Sequence, residues 1–108
     1  MNIEFSQKLH QFCEKKQIHQ FFLSVNLIEE PCLQIYRPAI IFEQKNLDKD
    51  EFQLIGTHDG VEIYRNQEFL DRFGKLDHLH FTVKGLLKKH VILENVDPII
   101  KNVCKVPT

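Results

Sequence analysis

The sequence predicts an α+β domain that is mostly β, and three observations support this prediction. Short runs alternate apolar and polar residues, as in residues 77–83, which is the pattern of half-buried strands. Apolar residues recur at helical spacing near the N-terminus and again around Phe69. Turn-forming residues such as Asp59 and Gly60 separate these runs. We therefore expect an N-terminal helix and a short inserted helix packed on twisted antiparallel sheets.

Composition limits the number of domains and the kinds of partner. A length of 108 residues suits a single domain covering residues 1–108, and 43% hydrophobic residues suffice for one modest core. Fourteen Lys and Arg oppose fifteen Asp and Glu, which gives a formal net charge of −1. A chain with so little net charge has no overall electrostatic attraction for nucleic-acid phosphates or anionic lipids. We therefore expect neither a nucleic-acid partner nor a membrane partner.

The same sequence favours a cytoplasmic location. No apolar run approaches the roughly 20 residues that span a bilayer, and the first residues lack the pattern of a secretory signal. Three widely spaced cysteines do not suggest a disulfide framework, and we expect them to remain thiols in a reducing compartment.

Local signals place both helices. Ser6 is a suitable N-cap for a helix over residues 7–16, in which Leu9, Phe12 and Cys13 form an apolar stripe. Asn66 can cap a second helix over residues 67–73, and the following glycine suits the helix end.

The strands are predicted from alternation and from turn residues. Residues 21–28 should form one strand with Leu23, Val25 and Leu27 on a single face. A strand or pair of strands follows at residues 33–36 and 39–43, interrupted at Pro38, which suggests an edge or a bend. The remaining predictions are a charged loop at 45–51, a hairpin at 52–57 and 61–64, strands at 76–83 and 90–94, and an irregular tail marked by Pro98 and Pro107.

The cysteines differ in their predicted environments. Cys13 belongs to the apolar stripe of the first helix and is best interpreted as a packed core residue. Cys32 follows Pro31 in a loop at a strand end, where its thiol can reach a ligand or solvent. Cys104 lies in the tail, either as an exposed thiol or folded back toward Cys32.

Two histidines share one face of a predicted strand. His78 and His80 are two residues apart, so their rings point the same way, while Leu79 and Phe81 point toward the core. We interpret the pair as a solvated strand face; it would bind zinc only if a third ligand approached. A phosphate-binding glycine loop and a nucleophile elbow are both absent from the sequence, and we expect no enzyme activity.

The order of these features resembles the HesB-like family, also described as A-type iron–sulfur carriers. A short strand at 3–5, a capped helix, a strand leading to Cys32, a hairpin, a short helix and a further strand follow in the family's order. Residues 59–64 are the closest local match. The chain departs from the family pattern after Cys32, where Leu33 replaces a small residue, and in the tail, where Cys104 stands without a second cysteine.

This resemblance implies a role in iron–sulfur cluster assembly or iron binding. Cys32 is the first expected ligand and Cys104 the second, and a homodimer would supply the four thiolates that a cluster needs. Assembly or acceptor proteins would then be the partners. The alternative is a metal-free binding or protein-interaction module that kept the fold.

Overall fold

A computed structural model describes residues 1–42 and 46–104 of the chain. The predicted α+β class, mostly β, is confirmed in these residues. In chain order the elements are β1 (Asn2–Phe5), α1 (Gln7–Lys16), β2 (Gln20–Glu30), β3 (Leu33–Ile41), a 3-10 helix (Lys49–Glu51), β4 (Phe52–His58), β5 (Val61–Asn66), α2 (Gln67–Phe73), β6 (His78–Lys84), β7 (His90–Leu93) and β8 (Ile99–Asn102).

The strands form two mixed sheets. Five of them are arranged in the order β4-β5-β2-β3-β8, and three in the order β1-β6-β7. The expectation of antiparallel sheets throughout is wrong, because β1 runs parallel to β6 and β2 runs parallel to β5. Hairpins impose antiparallel neighbours, but these two pairs join strands separated by long connections, which leave the direction free.

Three aromatic rings join the two sheets at the centre of the core. Phe21 in β2 and Phe81 in β6 have ring centroids 5.6 Å apart, and Phe5 in β1 lies 5.6 and 5.5 Å from them. The other buried residues of this core cluster surround the three rings: Leu9, Cys13, Ile18, Leu23, Val61, Ile63, Phe69, Leu79, Val91 and Leu93. The core therefore lies between the sheets and under both helices.

Helix α1 begins and ends where the sequence predicts. The Ser6 hydroxyl accepts a hydrogen bond from the Leu9 amide at 3.2 Å, which confirms the N-cap. Gln17 then adopts a left-handed conformation with a φ of 54°, and its amide bonds back to the last turn. The buried face of α1 consists of Leu9 and Cys13, and the helix packs on β6.

The predicted hairpin and second helix are also confirmed. Asp59 and Gly60 connect β4 to β5 with φ values of 48° and 79°, as a tight hairpin turn requires. Asn66 Oδ1 accepts a hydrogen bond from the Phe69 amide at 2.9 Å, and α2 ends at Gly74, whose φ is 77°. The hairpin turn keeps β4 and β5 in one sheet, and α2 then connects β5 of the five-stranded sheet to β6 of the three-stranded sheet.

Strand β2 is longer than predicted, and its first residues are buried on both faces. Phe21 and Leu23 face the core, but Phe22 is buried as well, because the rings of Phe52 and Tyr64 cover it at 5.1 and 5.0 Å. Farther along the strand Leu27 is exposed. The three residues predicted to share a face of β2 therefore differ in burial: Leu23 is buried, Val25 is partly buried and Leu27 is exposed.

Strand β3 passes through Pro38 without interruption. Val25 of β2 lies opposite Pro38, whereas β8 pairs with β3 only from Leu33 to Tyr36. At Pro38 the strand consequently has a partner on one side alone, which is where a residue without an amide hydrogen is tolerated. The edge interpretation of this proline is confirmed, and the division into two strands is wrong.

The prediction of an irregular tail after Pro98 is also wrong in part. Residues Ile99–Asn102 form β8, which pairs antiparallel with the start of β3. Pro98 precedes the strand and so removes no hydrogen bond from it. Pro107 lies outside the described residues.

Smaller differences concern element ends and side-chain burial. Strand β6 begins two residues later than predicted, and β7 ends one residue earlier. The charged loop at 45–51 and the end of the strand predicted to residue 43 lie partly outside the described residues; within them, Asp48 caps the 3-10 helix. Among the apolar residues of the alternating strands, Leu23, Ile63 and Phe81 are buried, and Val25 and Val83 are partly buried. None of the described helices is both long and apolar enough to cross a membrane.

Candidate functional site

Cys32 occupies the tight turn between β2 and β3. Pro31 and Cys32 are the two residues of this hairpin loop, and Cys32 has a φ of 66°. Proline in the first central position, followed by a residue with positive φ, is typical of a type II turn. The turn leaves Cys32 exposed, as the sequence predicts.

Strand β8 brings Cys104 to this turn. The Val103 amide donates a hydrogen bond to the Cys32 carbonyl at 2.9 Å, and the Cys104 amide donates one to Asn102 Oδ1 at 3.1 Å. Cys32 and Cys104 are joined in a disulfide, with their Cα atoms 4.6 Å apart. The expectation that all three cysteines remain thiols is therefore wrong, and the alternative in which the tail folds back to Cys32 is confirmed.

Cys13 is separate from this pair and has a different environment. Its side chain lies on the buried face of α1 and is only 6% exposed. Burial raises the pKa of the Cys13 thiol to about 11, because an apolar environment disfavours the thiolate. The structure thus supports packing for Cys13 and accessibility for the other two cysteines.

His78 and His80 share a face of β6, and Glu4 joins them there. The parallel pairing of β1 with β6 places Glu4 opposite His80, and the two imidazole centroids lie 4.8 Å apart. One ligand atom from each residue can be chosen so that all three lie within 4.8 Å of one another. His80 Nε2 is in direct contact with Glu4 Oε2, and this hydrogen bond lowers the pKa of Glu4 despite some desolvation.

Sequence reasoning identified the two imidazoles and missed the carboxylate. Glu4 is the polar residue between Ile3 and Phe5, so its position on the solvent side of β1 could be read from alternation. The pairing of β1 with β6, which brings it to the histidines, could not. A candidate third ligand for the histidine pair therefore lies on a strand 76 residues away in sequence.

The backbone beneath the histidines is held by Asn95. Its Oδ1 accepts a hydrogen bond from the His80 amide at 2.9 Å, and its Nδ2 donates one to the His78 carbonyl at 2.7 Å. Strand β7 pairs with β6 only from Phe81 onward. On the side of β6 away from β1, the Asn95 side chain thus bonds to the His80 amide and the His78 carbonyl where β7 does not, while the Glu94 amide donates to the His80 carbonyl at 2.8 Å.

A second group of histidines surrounds the hairpin turn. His10 Nδ1 and His58 Nε2 lie 3.3 and 3.4 Å from Asp59 Oδ2, and His10 Nε2 lies 3.2 Å from Glu14. Each of these side chains is at least 30% exposed. Exposure of this kind indicates a surface polar network whose contacts contribute little to stability.

One pocket in the described part of the chain contains neither the cysteine pair nor the group of Glu4, His78 and His80. It has a volume of about 580 Å³ and lies between α1 and the loop after β6. Phe12 forms part of its apolar lining, and its charged lining residues are Lys8, Lys15, Lys84 and Lys89. The cysteine pair and the group of Glu4, His78 and His80 therefore lie outside this pocket, although His80 lines a smaller one of about 100 Å³.

No protein-family model, curated protein or solved structure matches this chain.

Proposed function

We propose that this chain binds iron or an iron–sulfur cluster as cargo through Cys32 and Cys104. The observation that carries the proposal is that two cysteines 72 residues apart meet on the surface, at the end of one sheet. Once the disulfide is reduced, this convergence places two sulfur ligands close enough to share one iron ion or cluster. The resemblance in element order to the HesB-like carriers supports the same function, and membership of that family is part of the proposal.

The pair is suited to reversible ligation. Two-electron reduction of the disulfide by an added dithiol releases two neighbouring thiols, and thiolates are the usual ligands of iron–sulfur clusters. Both residues are exposed, so a cluster bound there could pass to another protein. The proposal places the chain in the cytosol, where thiols are kept reduced.

Two thiolates are half the usual ligand set. A cluster takes four cysteine ligands, so a second copy of the chain or an acceptor protein would supply the other two. Binding in a homodimer therefore predicts that cluster loading and dimer formation occur together. The chain would act as a carrier and not as an enzyme.

Anaerobic reconstitution of the reduced protein with ferrous iron and sulfide tests the proposal. Absorption spectra and iron and sulfide analysis should show a cluster in the wild type, and size-exclusion chromatography should show a dimer. Cys32→Ser should abolish the absorption, and Cys104→Ser should abolish or destabilise it, because each removes a thiolate from a minimal set. Cys13→Ala is the matched control, since that thiol is buried in the core and should not contribute.

Two outcomes would reject the carrier function. The first is a reduced wild type that takes up no iron. The second is iron uptake that is unchanged when Cys32 and Cys104 are both replaced by serine.

A second candidate is a metal-free interaction module, and one surface favours it. Ile28, Ile35 and Ile100 lie opposite one another on β2, β3 and β8, which places them on a single face of the sheet. Ile28 and Ile35 are partly exposed, and Ile100 is 62% exposed. Such a row of isoleucines beside the disulfide would suit contact with another protein. Under this function the disulfide would be a permanent structural cross-link. Ile100→Asp would then abolish the interaction without changing iron uptake.

A further inference from the structure

We propose that Glu4, His78 and His80 form a binding site for a divalent transition-metal ion, with Zn²⁺ as the expected occupant. The site is separate from the cysteine pair and independent of the function proposed for it. It joins β1 to β6 on the solvent face of the three-stranded sheet.

The positions of the three side chains are set by backbone geometry. His78 and His80 are alternate residues of one strand, so both point to the same side of the sheet. Glu4 is opposite His80 in the neighbouring parallel strand and points the same way. Three donors converge because the strands pair in this register, and a slip of one residue would turn Glu4 toward the core.

The separation of the donors is compatible with one ion. Ligand atoms about 2 Å from a tetrahedral zinc lie about 3.3 Å from each other, and the donors here lie within 4.8 Å. Small rotations of these solvent-accessible side chains close that difference. The ion would replace the hydrogen bond between His80 and Glu4 with one bond from each residue to the metal.

The identity of the donors selects the class of metal. Two imidazoles and one carboxylate are the protein ligands of several open zinc sites, in which water completes the coordination. Hard cations such as Ca²⁺ and Mg²⁺ prefer a shell of oxygen atoms, which this site lacks. The exposed setting leaves room for water as a further ligand, so the ion should exchange with solution rather than remain locked in the fold.

Asn95 prepares the site by holding the strand that carries both imidazoles. Its two hydrogen bonds, to the His80 amide and the His78 carbonyl, fix the backbone where β7 no longer pairs with β6. The direction in which each histidine leaves the strand is therefore defined before metal arrives, which lowers the ordering cost of binding.

The test is a zinc titration of the full chain with its disulfide intact, in competition with a chromophoric chelator. Oxidation removes Cys32 and Cys104 as ligands, so this result does not depend on the iron–sulfur proposal. We expect one zinc ion per wild-type chain and a melting temperature that rises with zinc and falls again with a chelator. Glu4→Gln should weaken zinc binding at least about tenfold, because replacing even a residue that only hydrogen-bonds to a metal ligand reduces metal affinity by about that factor.

The double variant His78→Ala/His80→Ala should lose zinc binding and the zinc-dependent rise in melting temperature. The matched control is His19→Ala/His90→Ala, which removes two exposed imidazoles outside the cluster and should behave as wild type. Circular dichroism establishes whether each variant is folded. If the double histidine variant does not fold, the zinc affinity of Glu4→Gln tests the proposal in its place. An oxidised wild type that binds no zinc, or binding unchanged by Glu4→Gln and by loss of both histidines, would overturn the proposal.

Discussion

The hydroxyl of Thr82 donates a hydrogen bond to the hydroxyl of Ser6 at 2.8 Å, and this contact ties the start of α1 to the middle of β6. Ser6 also accepts from the Leu9 amide and donates its own amide hydrogen to the Phe81 carbonyl at 2.9 Å. Thr82 is 7% exposed, and Ser6 is the only side chain with which its hydroxyl is seen to bond in the described residues. One small residue thus caps the helix and satisfies a buried polar group.

Replacing Ser6 with Ala should therefore lower the free energy of unfolding by more than the loss of an ordinary N-cap does. Loss of the cap costs about 1 kcal/mol, and the Thr82 hydroxyl left unpaired adds roughly 1 to 3 kcal/mol. Thr82→Val removes the hydroxyl that Ser6→Ala leaves unpaired. The double variant should therefore lose less unfolding free energy than the sum of the two single losses, by about 1 kcal/mol or more. Urea denaturation of the four proteins measures this coupling, and additivity within about 0.5 kcal/mol would show that the two hydroxyls are independent.

Phe81 is expected to be one of the most sensitive core positions. It is 1% exposed, and its ring packs against the rings of both Phe5 and Phe21. Phe81→Ala should lower the free energy of unfolding by about 3 to 5 kcal/mol, because it removes a buried ring and leaves a cavity. Leu87→Ala is the control, since Leu87 is fully exposed and should change stability by less than about 0.5 kcal/mol. Equal effects of the two substitutions would contradict the described core.

Local signals predicted the helices and the hairpin well, and the reason is physical. Ser6 and Asn66 cap helices through bonds to residues three positions away, and Asp59 and Gly60 form a turn through their own backbone angles. Each of these effects acts within a few residues. They are therefore present in the sequence as short patterns.

The pairing of distant strands could not be predicted in the same way. Glu4 meets His80 because β1 and β6 are parallel neighbours, and Cys104 meets Cys32 because β8 adds to the edge of β3. These contacts depend on which strand edges remain free once the core has formed. For this reason the sequence named Cys32, Cys104 and both histidines as candidates, but left the cysteine pairing open and missed Glu4 altogether.

The disulfide should contribute strongly to stability. It connects residues 72 positions apart, and closing a loop of that length removes enough entropy from the unfolded chain to be worth about 4 kcal/mol. Denaturation of the oxidised and the reduced protein should reveal a difference of that order. Cys104→Ser should match the reduced wild type and no longer respond to reductant. If reduction leaves the unfolding free energy of the wild type unchanged, the disulfide does not constrain the unfolded chain.

Cys13 should be the least reactive of the three thiols once the disulfide is reduced. Its pKa is raised from 9.0 to about 11 by burial, so very little thiolate is present at pH 8. Brief alkylation followed by mass spectrometry should label Cys32 and Cys104 well before Cys13. Labelling in urea is the control, because unfolding exposes all three thiols and should equalise their rates. Rapid alkylation of Cys13 in the folded protein would contradict its place in the core.

The same raised pKa predicts a loss of stability at alkaline pH. The folded state holds the Cys13 proton more tightly than the unfolded state, so the contribution of this thiol is fully present below about pH 9. As the pH rises from about 9 toward 11, the unfolded chain gains stability by ionising while the folded chain does not. The unfolding free energy of the wild type should then fall more steeply over this interval than that of Cys13→Ala, in which other groups titrate alone. Parallel curves for the two proteins in urea denaturation at pH 8, 9, 10 and 11 would show that the Cys13 thiol ionises equally in both states.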